Sequence, residues 1–235
     1  MKSILIASTS TLFEDSYLNY LKQPLHNHFN GIKQLLFIPY ARPGGITHKG
    51  YTAKVKTFFK TLDIDVVGIH EFKSPVNAVE QAEGIFVGGG NTFVLVKMLY
   101  HHQLIDPIKK AVHGGVPYLG TSAGSNICGL TMQTTNDMPI VYPPSFKTFG
   151  FVPFNINPHY LDPIPNLKHM GETRATRIKE FHAFNTPPVL GLREGSWLDV
   201  KGDTVKLKGK HRAIIFKYNS HPEEIDPNTD LSHLN

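Results

Sequence analysis

Short apolar runs alternate with longer segments of helical periodicity through the first half of this 235-residue chain. A strand, a crossover helix and a second strand form the repeating unit of parallel sheets. The apolar runs predict strands near residues 3–8, 34–39, 65–70, 84–88 and 116–120. The segments between them predict helices near residues 14–28, 48–62, 75–82, 92–101 and 105–113. We therefore expect an α/β fold built on a mainly parallel sheet.

The second half of the chain has a different texture. From about residue 130 it is rich in threonine, proline and asparagine, which indicates strands and loops that build a site over the sheet. A helix is predicted from about residue 172 to 183, and residues 189–218 predict two or three antiparallel strands joined by glycine-containing turns. Because no repeat or linker interrupts the chain, we expect a single domain over residues 1–235.

Composition excludes several classes of protein. The net charge of +5 comes from scattered lysine and arginine, which disfavours nucleic-acid binding but allows a mild field that attracts small anionic substrates. Cys128 is the only cysteine, so no intrachain disulfide can form. The four consecutive apolar residues near the N-terminus are too few for a signal peptide, and no later stretch reaches membrane-spanning length. We expect a soluble cytoplasmic protein with no membrane partner.

The strongest motif for chemistry is Gly120-Thr-Ser-Ala-Gly124, which follows an apolar run. Its G-x-S-x-G spacing is typical of a nucleophile elbow, a sharp turn between a strand and a helix that exposes the serine. Taken alone, the motif would favour an ordinary glycine-flanked loop serine. The predicted strand before it supplies the context that makes Ser122 a candidate nucleophile.

A second glycine-rich turn ends the run Gly84-Ile-Phe-Val-Gly-Gly-Gly-Asn-Thr-Phe93. Phe93 occupies the third glycine position of G-x-G-x-x-G, which excludes a dinucleotide fingerprint, and no phosphate-binding Walker motif is present. The bare backbone N–H groups at the start of a helix form a natural oxyanion site. The simpler interpretation is a tight turn in which Asn91 or Thr92 caps the helix, and both roles can coexist.

A serine nucleophile needs a general base, and the chain has 13 histidines. His159 is our candidate, because it ends a strand-like run and Pro158 fixes the approach of the chain to it. The alternative is a buried histidine that bonds a backbone carbonyl. Asp137 and Glu194 are the two candidates for the carboxylate that orients the imidazole, although each could instead cap backbone amides in a turn.

The sequence gives little support for a metal or another cofactor. It contains no H-E-x-x-H motif and no cysteine cluster. The pairs His26/His28 and His101/His102 lack an obvious third ligand. We therefore expect hydrolysis without a cofactor.

These motifs together resemble peptidase E, a family of aspartyl dipeptidases that release an N-terminal aspartate from dipeptides. The resemblance rests on six blocks in the family's order: Gly88-Gly-Gly-Asn-Thr-Phe93, Gly120-Thr-Ser-Ala-Gly124, Thr134-Thr-Asn-Asp-Met-Pro-Ile-Val141, Asn157-Pro-His159, Gly171-Glu-Thr-Arg174 and Glu194-Gly-Ser-Trp197. It implies a three-layer α/β/α sandwich similar to class I glutamine amidotransferases, with serine in place of their cysteine. It also implies a cytoplasmic enzyme that uses no metal and acts on a small acidic dipeptide.

The resemblance implies roles for individual residues. Ser122 would be the nucleophile and His159 the base, while the third member of the triad matches either Asp137 or Glu194. The analogy with the amidotransferases favours Glu194, with Asp137 its rival. The backbone N–H groups of Gly89, Gly90 and Ala123 would form the oxyanion hole, Arg174 would bind the aspartate side chain, and Asn91 would assist it.

Two positions depart from the family pattern. Arg193 stands where a proline is common before Glu-Gly, and Ser125 stands where alanine is frequent. Arg193 changes the charge beside the site, which bears on fine specificity rather than on the reaction.

Our interpretation is a serine exopeptidase that cleaves Asp-Xaa dipeptides through an acyl-enzyme. One alternative is cyanophycinase-like cleavage of β-aspartyl bonds, which also uses a Gly-x-Ser-Ala-Gly elbow. Asn157-Pro-His159 and Gly171-Glu-Thr-Arg174 resemble the dipeptidases instead. The other alternative is a catalytically silent binding module of amidotransferase-like fold, against which the intact nucleophile, base and acid candidates argue. The sequence leaves the oligomeric state open.

Overall fold

The computed structural model describes residues 1–163 and 171–234; residues 164–170 of the expected loop region lie outside this description. The strands are β1 (Ser3–Ala7), β2 (Gln34–Ile38), β3 (Asp65–Gly68), β4 (Ile85–Val87), β5 (Tyr118–Thr121), β6 (Asn155–Pro158), β7 (Val189–Leu192), β8 (Ser196–Lys201), β9 (Thr204–Gly209), β10 (Ala213–Phe216) and β11 (Glu223–Ile225). The α-helices are α1 (Lys22–His28), α2 (His48–Phe59), α3 (Pro75–Glu80), α4 (Thr92–His101), α5 (Ile105–His113), α6 (Ala123–Asn126) and α7 (Arg174–His182).

A seven-stranded sheet with the order β3-β2-β4-β5-β1-β8-β9 forms the centre of the fold. The first five strands in this order run parallel, and β8 and β9 add an antiparallel edge beside β1. The predicted mainly parallel sheet is confirmed. Because crossover helices connect its strands, their carboxyl ends lie at one edge of the sheet, where ligands bind in folds of this class.

Helices cover both faces of this sheet, and side-chain alternation along the strands explains why. One face of the strands packs on α1 and α2 in a cluster that includes Leu5, Phe37, Phe86, Leu25, Val55 and Phe59. The other face packs on α3, α4 and α5 in a cluster that includes Ile6, Ile38, Val87, Val79, Leu95 and Ile108. Strands buried on both faces need continuous apolar runs, which is the pattern that the sequence shows. The result is the expected three-layer arrangement.

A second sheet has the order β11-β10-β7-β6. Its inner face joins the larger hydrophobic cluster, and Ile178 of α7 packs near the other face with Tyr160, Val189 and Phe216. The prediction of two or three antiparallel strands in residues 189–218 is wrong in number and arrangement. Four strands lie there, divided between the two sheets, and β7 pairs parallel with β6. Pairing partners distant in sequence decide this arrangement, and local turn signals do not reveal them.

The predicted helices are largely confirmed, with shifts at their ends. The helix expected over residues 14–28 begins late, because Glu14 and Leu18 have φ angles of 59° and 57° and only a 3-10 turn at Asn19–Leu21 precedes α1. The strand expected over residues 65–70 ends at Gly68. In residues 1–163 and 171–234, no helix has the length and apolar character needed to cross a membrane.

Candidate active site

Ser122 lies at the sharp turn between β5 and α6. Its backbone has φ 54° and ψ −110°, a strained conformation for a residue with a side chain. The turn is held by its carbonyl, which accepts hydrogen bonds from the N–H groups of Ser125 and Asn126, both at 2.9 Å. A Cβ on Gly120 would lie 2.3 Å from the Gly124 carbonyl oxygen, and one on Gly124 would lie 2.2 Å from that of Val87. The two glycines of the motif are therefore required by close backbone approach.

His159 follows the end of β6 and contacts both Ser122 and Glu194. Its Nε2 lies 2.9 Å from Ser122 Oγ, and its Nδ1 lies 2.6 Å from Glu194 Oε1. With the proton on Nδ1, that N–H donates to the carboxylate and Nε2 accepts from the serine hydroxyl. The His159 and Glu194 side chains are 36% and 49% exposed, so a substrate can reach this line of groups. The geometry is that of a nucleophile, a base and an orienting acid.

Ser8, at the carboxyl end of β1, joins the two segments that carry this pair. Its buried hydroxyl donates to the Leu192 carbonyl at 2.7 Å and accepts the N–H of His159 at 2.9 Å. Leu192 is the last residue of β7, two positions before Glu194. Ser8 therefore fixes the backbone of His159 relative to the strand that leads to Glu194.

Asp137 lies at the start of α4 rather than against His159. Its Oδ2 accepts hydrogen bonds from the Thr92 N–H at 2.7 Å, the Thr92 hydroxyl at 2.6 Å and the Thr135 hydroxyl at 3.0 Å. Within the described part of the chain, it forms no hydrogen bond with His159. Of the two carboxylates left open by the sequence, the geometry places Glu194 beside the imidazole and makes Asp137 a partner of the helix N-terminus.

Asn91 caps α4 with its side chain. Its Oδ1 accepts the Val94 N–H at 3.1 Å and its Nδ2 donates to the Met138 carbonyl at 2.9 Å. The side chain thus fixes the helix start and the loop after Asp137. The capping role expected from the sequence is confirmed.

The three proposed oxyanion donors differ in availability. The N–H of Gly89 donates to the buried Tyr51 hydroxyl at 3.1 Å. Among the described residues, the N–H groups of Gly90 and Ala123 have no hydrogen-bond partner. Gly89 nevertheless lies against the nucleophile, because a Cβ built on it would be 2.9 Å from Ser122 Cβ. Of the three proposed donors, those of Gly90 and Ala123 are therefore free in the described part of the chain.

Arg174 begins α7 and lines a cavity of about 610 Å³ with Asp137 and Asn157. Its guanidinium forms no hydrogen bond or ion pair with the rest of the described chain, in contrast to Arg177 in the same cavity, which bonds Glu172 and Glu180. Ser122 and His159 do not line this cavity. The cavity adjoins the segment of His159, because Asn157 lies two residues before His159 and Asn136 Nδ2 donates to the Pro158 carbonyl at 2.7 Å.

The sequence as a whole places the chain in a known peptidase family. The model of peptidase family S51 matches residues 4–208, which is more than half of the chain. The chain belongs to peptidase family S51. Its relatives in this family are similar over nearly their whole length. Peptidase E of Streptomyces coelicolor is 46% identical over 232 residues, covering 99% of this chain and 94% of the relative.

A second relative and a solved structure extend this result. The protein of Drosophila melanogaster named "Probable alpha-aspartyl dipeptidase" is 44% identical over 236 residues, covering 99% of this chain and 97% of the relative. The crystal structure of a peptidase from an acI-B1 Actinobacterium has a TM-score of 0.73 at 18% identity, covering 98% of this chain and 96% of that one. At that identity the structure shows a shared fold.

Sequence reasoning missed two residues at the site of this S51 peptidase. Ser8 bridges the segments that carry His159 and Glu194. Tyr51, in the first turn of α2, accepts a hydrogen bond from the Gly89 N–H. Ser8 had a usable signal, because a polar residue at the carboxyl end of a central parallel strand faces the site in folds of this class. Tyr51 had none, since only the packing of α2 on the sheet brings its hydroxyl to Gly89.

The single cysteine of the chain lies in the hydrophobic core. Cys128 is buried, its thiol donates to the Gly124 carbonyl, and burial raises the pKa of that thiol, which keeps it neutral. Across residues 1–163 and 171–234, no group of three or more His, Cys, Asp or Glu side chains is placed to hold a metal ion.

Proposed function

We propose that this S51 peptidase is a serine exopeptidase that hydrolyses dipeptides with an N-terminal aspartate. The observation that carries the proposal is the continuous line from Ser122 Oγ through His159 to Glu194, with distances of 2.9 and 2.6 Å. The relatives named peptidase E and α-aspartyl dipeptidase support the substrate class. We assign the activity to one catalytic domain over residues 1–235 of a cytoplasmic enzyme.

The reaction begins with attack of Ser122 Oγ on the carbonyl carbon of the aspartyl residue. His159 Nε2 accepts the hydroxyl proton, and the Glu194 carboxylate stabilises the imidazolium through Nδ1–H. The N–H groups of Gly90 and Ala123 bind the developing oxyanion. His159 then donates its proton to the leaving amine. An acyl-enzyme remains, and water activated by His159 hydrolyses it to free aspartate.

Arg174 supplies the selectivity in this proposal. Its planar guanidinium can bind the substrate's side-chain carboxylate with two parallel hydrogen bonds. A free arginine in a cavity is costly to leave unpaired when a neutral analogue binds, so the site discriminates against asparagine and alanine at the same position. The net charge of +5 adds a weak attraction for acidic dipeptides.

The direct test is hydrolysis of Asp-Leu, Asn-Leu, Ala-Leu and N-acetyl-Asp-Leu by the purified protein. We expect rapid cleavage of Asp-Leu alone, with no effect of chelators. Ser122→Ala should abolish it while the melting temperature stays near that of the wild type, since loss of a triad nucleophile costs up to about a millionfold in turnover.

The matched control is Ser16→Ala, which removes an exposed hydroxyl elsewhere on the chain. A fluorophosphonate should label the wild type and Ser16→Ala but not Ser122→Ala. Cleavage of Asp-Leu by folded Ser122→Ala at the wild-type rate would overturn the mechanism. Equal rates on Asp-Leu and Ala-Leu would overturn the substrate class.

A further inference from the structure

Arg193 directly precedes Glu194 and uses every hydrogen-bond donor of its guanidinium. Nε and Nη2 donate to the two carboxylate oxygens of Asp162, each at 2.7 Å. Nη2 and Nη1 donate to those of Glu224 at 2.6 and 2.9 Å. Nη1 also donates to the Arg212 carbonyl at 2.9 Å. A guanidinium has five N–H donors, so this one is fully satisfied and has none left for a substrate.

The carboxylate partners of Arg193 lie on segments from opposite edges of the second sheet. Asp162 is three residues after His159, and Glu224 belongs to β11 at the edge of the second sheet. The Arg193 side chain is 17% exposed and lies over the Tyr160 ring at 5.7 Å. One partly buried side chain therefore ties the chain that leaves His159 to the chain that enters Glu194, and links both to β11.

The contacts in this cluster favour the charged forms of Arg193 and Asp162. The hydrogen bonds from Arg193 hold the pKa of Asp162 below its usual range, and Asp162 and Glu224 raise the pKa of Arg193. Two bidentate pairs on one guanidinium fix direction as well as distance. A lysine has three donors on a single nitrogen and cannot reproduce both pairs.

We propose that Arg193 is a positioning residue that keeps His159 and Glu194 within hydrogen-bond distance during the reaction. The inference rests on the proposed function for its kinetic consequence. The His159 and Glu194 side chains are partly exposed. Their segments are already joined by the parallel pairing of β6 with β7, by the hydrogen bond from the Tyr160 N–H to the Leu192 carbonyl at 3.1 Å, and by the Ser8 hydroxyl. A misplacement of about 1 Å can lower a rate about a hundredfold, so a further clamp beyond the ends of β6 and β7, where His159 and Glu194 lie, matters for turnover.

The test compares Arg193→Met and Arg193→Lys with Arg212→Met. Arg212 pairs only with Asp226 through its side chain, and its carbonyl survives the substitution, which makes it a matched control. Arg193→Met should lower kcat for Asp-Leu about a hundredfold with KM nearly unchanged. Arg193→Lys should not restore kcat, and Arg212→Met should keep it.

Arg193→Met is also made in a Glu194→Gln variant, because this combination separates a positioning role of Arg193 from a merely structural one. If Arg193 acts through Glu194, Arg193→Met causes no further loss of kcat there, as expected for residues that act as a unit. The same fold-loss in both backgrounds, together with a lower melting temperature, would overturn the proposal. If Arg193→Met does not fold, Asp162→Asn carries the test: a loss of kcat at unchanged KM supports the clamp, and wild-type kcat overturns it.

A measurement that does not depend on turnover tests the role of Arg193 separately from the proposed function. The hydrogen-bonded proton between His159 Nδ1 and Glu194 should give a low-field proton resonance, identified by its absence from His159→Gln. Arg193→Met should broaden or remove it, and Arg212→Met should retain it. If the wild type fails to cleave Asp-Leu, the proposed function fails while this measurement still decides the role of Arg193. An unchanged resonance in Arg193→Met overturns the clamp.

Discussion

Ser122 and His159 both have backbone conformations that side chains disfavour, with φ angles of 54° and 53°. Such conformations cost about 1–3 kcal/mol each and persist only where the surroundings fix them. Adjacent residues of one segment provide the anchors. The Ala7 carbonyl accepts the Ser122 N–H at 3.2 Å, and the Ser8 hydroxyl accepts the His159 N–H at 2.9 Å. The end of β1 therefore positions Ser122 and His159 relative to each other.

The two acid candidates should respond differently to removal of their charge. Glu194→Gln weakens the hydrogen bond to His159 Nδ1 and the support for the imidazolium, so we expect a loss of kcat that approaches the roughly ten-thousandfold seen for such residues. Asp137→Asn instead weakens three hydrogen bonds at the start of α4. Charged hydrogen bonds contribute about 1.5–3 kcal/mol to stability, so its main effect should be a lower melting temperature.

Steady-state kinetics on Asp-Leu and thermal denaturation of both variants decide between these roles. Wild-type turnover in Glu194→Gln, together with a crippled but fully stable Asp137→Asn, would transfer the orienting role to Asp137.

At the scale of elements, the sequence predicts what local chemistry determines. α4 and α5 have the expected bounds because glycines stand just before the first and just after the second, and the Asn91 side chain caps the start of α4. The elbow at Ser122 follows from the glycine spacing. The assignment of β7 and β8 to different sheets could not be predicted, since it depends on pairing with β6 and β1. For the same reason the sequence left Asp137 and Glu194 unresolved, because only sheet packing sets their distances from His159.

The two arginines of α7 offer a matched test of aspartate recognition. Arg174 has no partner in the described chain, whereas Arg177 is paired with Glu172 and Glu180 in the same cavity. Arg174→Lys should raise KM and lower kcat for Asp-Leu together, because a single ammonium cannot hold the carboxylate in the reactive geometry. Arg177→Lys should change either constant little, since exposed ion pairs contribute roughly 0–1 kcal/mol.

Both constants are measured for Asp-Leu with the two variants and the wild type. An active Arg174→Lys enzyme with unaltered KM would show that aspartate recognition does not run through this residue.

At the scale of the whole molecule, the candidate site lies where the two sheets meet. Ser122 and Ser8 follow strands of the large sheet, while His159 and Glu194 follow strands of the small one. A single hydrophobic cluster continues across both, from Ile6 and Val87 to Ile156 and Leu192. The distances of 2.9 Å between Ser122 and His159 and 2.6 Å between His159 and Glu194 therefore depend on how the two sheets pack together.

Acid sensitivity of the fold should arise in part from His28, at the end of α1. Its Nε2–H donates to the Tyr118 carbonyl on β5 at 3.0 Å, and its ring packs on Phe29 at 4.7 Å. Burial lowers the pKa of His28 to about 3, with a further contribution from Lys201. The unfolded chain binds the proton near pH 6.5 while the folded protein does not, so stability is intact above about pH 6.5 and falls by up to about 1.4 kcal/mol per pH unit towards pH 3.

Urea denaturation at pH 7, 6, 5 and 4 measures this slope. His28→Gln should flatten it, because glutamine can donate to the Tyr118 carbonyl but has no proton to gain in the unfolded state. His26→Gln, on the exposed side of the same helix, is the matched control and should leave the slope as in the wild type. An equal pH slope in wild type and His28→Gln would show that the acid sensitivity arises elsewhere, since the linkage requires a difference in proton uptake at this ring.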